Sequence, residues 1–452
     1  MLMQQLADYA IKEQTATLPP EVIHHAKRAV IDWYAAMLPG SIVAPATLLE
    51  QAFADDLDRG KARLARGRRA TMRTAALING AASHSVEFDD IHRDSGYHPG
   101  SPTISAALAA AQGTGATGEQ FLRAVIVGYE TSTRIGEAVM PSHYNFWHTT
   151  GTVGSFGAAA SAATALRVNH EQFMHALATV GTFAAGLQQA FLSQAMSKPL
   201  HGGHAADAGM LAALAASKGV TGALDIIEGK KGFANAMSVN PDFAKVTKDL
   251  GRDYHINVMT FKNHGCCGHT FPSIDGVLAL VEQHKLKPAD IKEIRLATYK
   301  AGLDIIDNAT PEGEYQAKFS LQYTVAHAVV YGSVRLNAFS EDRMKDRAVR
   351  ELMKKVVCIA DPVLSKGYPN QRASNVEIDT TDGRKLTHFQ GHRKGDPEQP
   401  LTDTELNGKF MELAEPVIGD KGAKRLLEQL WSLDKAPTAE FEILSGDTRA
   451  SA

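Results

Sequence analysis

The densest candidate chemistry in this chain lies between His84 and Gly100. That stretch places Glu87, Asp89, Asp90 and Asp94 among His84, His92 and His98, with Arg93 beside them. Carboxylates next to imidazoles suit general acid–base work, because each shifts the other's pKa. A charge run taken alone reads as a solvated loop. Phe88, Tyr97 and Pro99 argue against a freely solvated face here. Three more polar clusters sit at predicted helix boundaries: Asn145 to Gly151 with His148, Ser197 to His204 with Lys198, and Phe261 to His264 with Lys262. Each alone reads as capping or surface. Together they offer lysine and histidine repeatedly, which suits an anionic small molecule such as a polycarboxylate. The backbone amides after His148 are a further candidate for holding a carboxylate.

Other motifs exclude more than they support. Gly113, Gly115 and Gly118 match a dinucleotide fingerprint, but an Ala-rich helix precedes them where a strand is required. No nicotinamide cofactor is expected. His264, Cys266, Cys267 and His269 resemble a metal site only superficially, since adjacent cysteines lack the spacing that holds zinc. No metal and no iron–sulfur cluster is expected. Cys358 lies in the apolar run Val356 to Ala360 and is expected in the core.

The elements that must position these residues change character along the chain. Apolar spacing predicts helices over Glu21–Leu38, Thr71–Ser85, Pro102–Gln112, Gln120–Val139, Thr152–Leu166, Glu171–Ala178 and Ala205–Lys218. Thr117 with Gln120 fits a capping box. After about residue 265 the pattern mixes. Pro272–His284, Ser320–Val330 and Glu341–Lys355 read as helix, whereas Ile291–Tyr299 alternates as a strand. Asp382-Gly383 between two β-prone runs, Asn375–Thr381 and Arg384–Phe389, predicts a hairpin. Thr402–Leu413 and Lys421–Trp431 return to helix. The expected fold is α+β. A large all-α domain, residues 1–264 and 401–452, carries an inserted smaller α/β domain, residues 265–400.

Composition narrows the classes. The chain has 452 residues, so two or three domains are expected. A net charge of −3 gives no electrostatic footprint for nucleic acid. Asp8, Lys12 and Glu13 stand where a signal peptide would be apolar, and no run is apolar enough for a membrane span. Three cysteines fit a reducing compartment, and a cytoplasmic protein is expected.

At His84 to Thr103, His148 to Gly154, Lys198 to Ala212, Lys262 to Asp275 and Phe319 to His327 the sequence resembles the MmgE/PrpD family. That family includes 2-methylcitrate dehydratases, iminodisuccinate epimerases and cis-aconitate decarboxylases. The resemblance implies a helical domain of N- and C-terminal parts, an inserted α/β domain, a homodimer and a site between the domains. By position it places a site carboxylate at Glu87, histidines at His98 and His148, lysines at Lys198 and Lys262, and a tyrosine at Tyr323. Glu87 stands for an aspartate, Ile91 for a threonine, and Cys267 for a histidine that His264 or His269 could cover. His98, Lys262, Tyr323 and Glu87 are the expected catalytic residues. His148, Lys198, Asp90 and His264 are expected to bind substrate. The expected function is cofactor-independent proton abstraction beside a carboxylate of a small di- or tricarboxylate, with 2-methylcitrate dehydration the first choice. Epimerisation of the iminodisuccinate type, decarboxylation of the cis-aconitate type, and a non-catalytic binding role are the alternatives.

Overall fold

Helix caps and small residues account for the first layer of the architecture. The computed structural model describes residues 1–192, 195–368, 371–441 and 443. They fall into two compact units: Met1–Thr260 with the segment from Thr402, and Phe261–Leu401.

The principal helices of the first unit are α1 (Leu2–Glu13), α2 (Pro20–Gly40), α3 (Met72–Ser85), α4 (Gly100–Thr114), α5 (Gly118–Val139), α6 (Thr149–Ala165), α7 (His170–Val180) and α8 (Ser197–Ala216). Pro20 opens α2, and the Thr117–Gln120 capping box opens α5. Gly115, at φ +72°, closes α4 in the left-handed conformation that glycine adopts without a Cβ penalty.

Every residue of α6 is buried, so this helix, Ala, Gly, Ser and Thr apart from Val153 and Phe156, runs through the core. Small residues let neighbouring backbones meet. A Cβ on Gly80 of α3 would lie 2.9 Å from the Cα of Gly203 on α8, and one on Gly203 would overlap the Leu77 carbonyl. The chain's last long helix, Asp403–Trp431, packs on α2. It was expected as two runs, and Gly419, at φ +73°, marks the break inside it.

This unit is not purely helical. Strands β1 (Leu57–Arg63) and β2 (Arg69–Ala70) pair antiparallel within it. The sequence hides β1 because four exposed residues in a row, Asp58 to Lys61, break the alternation that marks a half-buried strand.

The second unit carries β3 (Ile291–Thr298), β4 (Val356–Ala360), β5 (Ser374–Thr380) and β6 (Lys385–Gln390) in the order β4-β3-β5-β6. β4 runs parallel to β3, while β5 is antiparallel to both β3 and β6. Ile294 pairs with Ile378 and Leu296 with Val376, aligning their buried faces. Helices α9 (Phe271–His284) and α10 (Leu321–Tyr331) complete that core through Ile274, Val277, Val325 and Ala326. The Asp382-Gly383 hairpin forms, with Gly383 at φ +91°.

Three local readings are corrected. Val356–Ala360 is an edge strand with Val357 and Ile359 exposed, so Cys358 is half-buried, not enclosed. Glu341–Lys355 is two short helices, because Asp346 caps a new start by accepting from the amides of Ala348 and Val349. The second unit begins at Phe261, so Lys262 and His264 belong to it. Among the described residues no helix is long and apolar enough to cross a membrane.

Candidate active site

The loop between α3 and α4 is folded by its own polar groups. His92 and Tyr97 exchange backbone hydrogen bonds across the turn at Arg93 to Gly96. Asp90 is buried and accepts from the Gly100 amide at 2.9 Å and the Tyr129 hydroxyl at 2.7 Å. Burial, reinforced by the Asp32 charge, raises its pKa to about 8. Both Asp90 oxygens are therefore occupied in fastening the loop to α4 and α5. Asp90, expected to bind substrate, here ties the loop to the two helices. Glu87 takes φ +60°, a left-handed conformation that a residue with a side chain holds only when its surroundings enforce it. Beside it, the Phe88 carbonyl accepts from the Lys409 ammonium at 2.8 Å, and that ammonium also meets Asp32 at 2.6 Å.

This loop, the start of α6 and the start of α8 bring the first unit's candidates together. Lys198 forms an ion pair with Glu87. Burial opposes the charge on Lys198, but the Glu87 carboxylate outweighs it and holds the ammonium above its ordinary pKa. The Phe191 ring lies 5.1 Å from the Lys198 nitrogen and 4.9 Å from the His148 ring. His148 caps the start of α6 and is 1% exposed. Burial first, then His84, Lys198 and other neighbours, push its pKa well below the usual histidine value, so it is a neutral imidazole. Its Nδ1 lies 3.0 Å from Nδ1 of His201, which burial lowers to about 4. The amides of Gly151 and Thr152 bond to the His148 carbonyl, so those two are not available to a ligand.

His98 follows the turn and is held through its amide, which donates to Thr150 Oγ1. Its Nδ1 lies 3.2 Å from Asp89 Oδ2, and the same oxygen meets His84 Nδ1 at 2.6 Å. The His84 ring is 4.9 Å from His98 and 5.4 Å from His148. His84 and Asp89 stood in the candidate acid–base stretch, and His201 in the Ser197 to His204 cluster, without an assigned role; Phe191 was not named. His84 and Asp89 are five apart across a helix end, a separation that gives no periodic signal. No sequence signal marks Phe191.

The remaining candidates lie in the second unit. Lys262 is buried, and the backbone ahead of it is fixed by the Phe261 amide donating to Gly395 at 3.0 Å. His264 Nε2 meets Asp275 at 2.8 Å, and the other Asp275 oxygen accepts from the Lys394 amide. Tyr323 is buried in the core and its hydroxyl donates to the Ala338 carbonyl, so it is anchored as a donor there. Burial raises the Cys266 thiol, which makes it a poor nucleophile.

Two triplets among the described residues gather metal-ligand types that the sequence did not reveal: His84, Asp89 and His98, and His92, Glu137 and His255. The second fits a metal poorly. Arg134 donates to His255 Nε2 at 2.8 Å, which leaves the His255 proton on Nδ1, the atom facing Glu137, and puts a guanidinium beside the space. In the first, His84 Nδ1 and His98 Nδ1 both face Asp89 Oδ2, at 2.6 and 3.2 Å.

The first unit thus sets the Lys198–Glu87 ion pair beside the buried His148 and within the field of the buried Asp89. The chain matches the MmgE/PrpD N-terminal domain over residues 4–245 and the MmgE/PrpD C-terminal domain over residues 264–435. It belongs to the MmgE/PrpD family. It is 26% identical to a cis-aconitate decarboxylase-like protein of Aspergillus oryzae, over 98% of this chain and 97% of that one. It is 26% identical to human cis-aconitate decarboxylase over 80% of this chain and 76% of the relative. A 2-methylcitrate dehydratase of Salmonella typhimurium shares 26% identity over 26% of each chain.

Proposed function

We propose that this protein is a lyase acting on a small di- or tricarboxylate by proton transfer at a carbon next to a carboxylate, without metal or organic cofactor. The observation that carries the reading is the grouping of Lys198 with Glu87, neutral His148 and the Asp89-linked His98. The half-buried Lys198 ammonium attracts a carboxylate more strongly as water is excluded, and it offsets charge that develops on the substrate when a proton leaves. An imidazole takes a proton when neutral and gives one when protonated, which suits histidine to proton transfer near neutral pH. His98 is the first unit's candidate for proton transfer, and Lys262 is a separate candidate within the second unit.

Dehydration of a 2-methylcitrate-type hydroxy acid is the first reaction expected: a base removes the proton, and an acid protonates the departing hydroxyl. Decarboxylation of a cis-aconitate-type acid is the second reading, favoured by decarboxylase relatives that align along nearly the whole chain. In either case the protein is taken as a cytoplasmic homodimer whose second unit is an inserted domain. The test is incubation with 2-methylcitrate, citrate, cis-aconitate and iminodisuccinate in deuterated water. Deuterium beside a carboxylate, or loss of water or CO2, supports proton-transfer chemistry. His98→Ala should lower kcat by about 10²–10⁴-fold, the usual weight of general acid–base catalysis. No turnover and no exchange with any of these acids, or a His98→Ala enzyme at wild-type kcat, would refute the reading.

A further inference from the structure

Asp89 is the buried acid at the site to which the proposed mechanism has given no task. It is 1% exposed, and its Oδ2 stands between two imidazoles, 2.6 Å from His84 Nδ1 and 3.2 Å from His98 Nδ1. An ionised carboxylate only accepts hydrogen bonds. His84 Nδ1, which is hydrogen-bonded to it, is therefore the protonated nitrogen of that ring. His98 Nδ1 lies 3.2 Å away at ion-pair distance without hydrogen-bond alignment, and the negative charge there favours a proton on Nδ1 over Nε2.

A core histidine is the plain alternative for His84. Yet His84 is fully buried, and its Nε2 has no hydrogen-bond partner in the structure. Burying an unsatisfied nitrogen is unfavourable, and an apolar side chain would fill the same space without that loss. What His84 does accomplish is to donate to the same Asp89 oxygen that faces His98, which fixes the carboxylate's position. Asp89 also lies close enough to Lys198 to favour its ammonium, so the carboxylate belongs to the same electrostatic unit as the proposed anion site.

We infer that Asp89 is a positioning residue for proton transfer: its Oδ2, steadied by His84, holds His98 with the proton on Nδ1 and so leaves Nε2 of His98 as the atom that accepts the substrate proton. The inference rests on the reading that His98 takes part in proton transfer. The step balances simply. The substrate C–H electrons stay on carbon, the proton forms a bond to Nε2, and the imidazolium so produced faces a carboxylate that remains ionised.

The wild-type protein supplies the first test, which depends on no variant folding. In a ¹⁵N-labelled sample at pH 7.5, His98 should show protonated Nδ1 and bare Nε2; the opposite tautomer overturns the inference. Asp89→Asn can offer its amide N–H to the ring, which stabilises the wrong tautomer. It should lower kcat by about 10³-fold or more, the scale of a tautomer error, while KM stays within about threefold. Asp89→Asn at near wild-type kcat, with His98→Ala inactive, overturns the role of Asp89 and leaves the proposed function standing. His98→Ala at wild-type kcat overturns the proposed function itself. A stoichiometric metal whose removal abolishes activity would make the triplet a metal site and overturn the inference as well.

Discussion

Lys409→Met should destabilise the first unit by about 3–5 kcal/mol, the cost of removing one partner from a buried ion pair. Both side chains of the Lys409–Asp32 pair are 0% exposed, and their separation is 2.6 Å. The same ammonium donates to the Phe88 carbonyl at 2.8 Å and lies 4.7 Å from the Phe88 ring centre. Methionine keeps the stem volume and removes only the charge and its donors. The loss is therefore electrostatic and hydrogen-bonding, not a cavity effect. The comparison that isolates the charge is Asp32→Leu combined with Lys409→Met. Replacing both members of a buried pair by apolar residues is often neutral, so the double variant should recover at least about 2 kcal/mol of the single variant's loss. Urea unfolding followed by circular dichroism measures this, with the midpoint falling and the slope retained. A Lys409→Met loss under about 1 kcal/mol, or a double variant no better than the single, would show that burial of this pair does not matter as argued. Because Phe88 stands between Glu87 and Asp89, the folded fraction of Lys409→Met should also turn over more slowly.

Other outcomes follow from the same geometry. Lys198→Met should raise KM or abolish turnover while the circular dichroism spectrum is unchanged; wild-type kinetics would move the anion site elsewhere. Activity should be complete in excess chelator, and a loss that added divalent metal restores would contradict cofactor-independent chemistry. Burial lowers His201 and His143 to about 4, and His92 and His255 to about 3, so below the ordinary histidine value near 6.5 the unfolded chain binds protons that the folded chain refuses. Stability should accordingly fall as pH drops from about 6.5 toward 4. Asp90, raised to about 8, and Glu130, raised to about 7, act in the opposite direction but are outnumbered. A melting temperature that holds steady or rises on acidification would refute the sign.

What the sequence made legible tracks how local the cause is. The Thr117–Gln120 cap, the Asp382-Gly383 turn and the apolar spacing of α2 are set by neighbours a few residues apart, and each appears where expected. The edge strand Val356–Ala360 was not legible, since a short apolar run reads alike whether it is enclosed or at an edge. At the site, Glu87, His98, His148 and Lys198 were nameable from residue type and resemblance. The partners that give them their chemistry were not. Lys198 meets Glu87 across 111 positions, and His148 meets His201 across 53. Asp90 shows the same limit: its residue type suggested a ligand contact and gave no sign of its bonds to Gly100 and Tyr129.

The contact of α3 with α8 through Gly80 and Gly203 bears on how the site meets a ligand. His84 rides on the first of these helices, and Lys198 and His201 on the second. With backbone against backbone there is no side-chain layer to yield, so the imidazoles and the ammonium cannot separate without parting the helices themselves. Their freedom of motion is lost when the chain folds, not when a ligand arrives. A polycarboxylate would then bind without having to immobilise these groups, and affinity changes among variants would arise mainly from direct contacts with the acid.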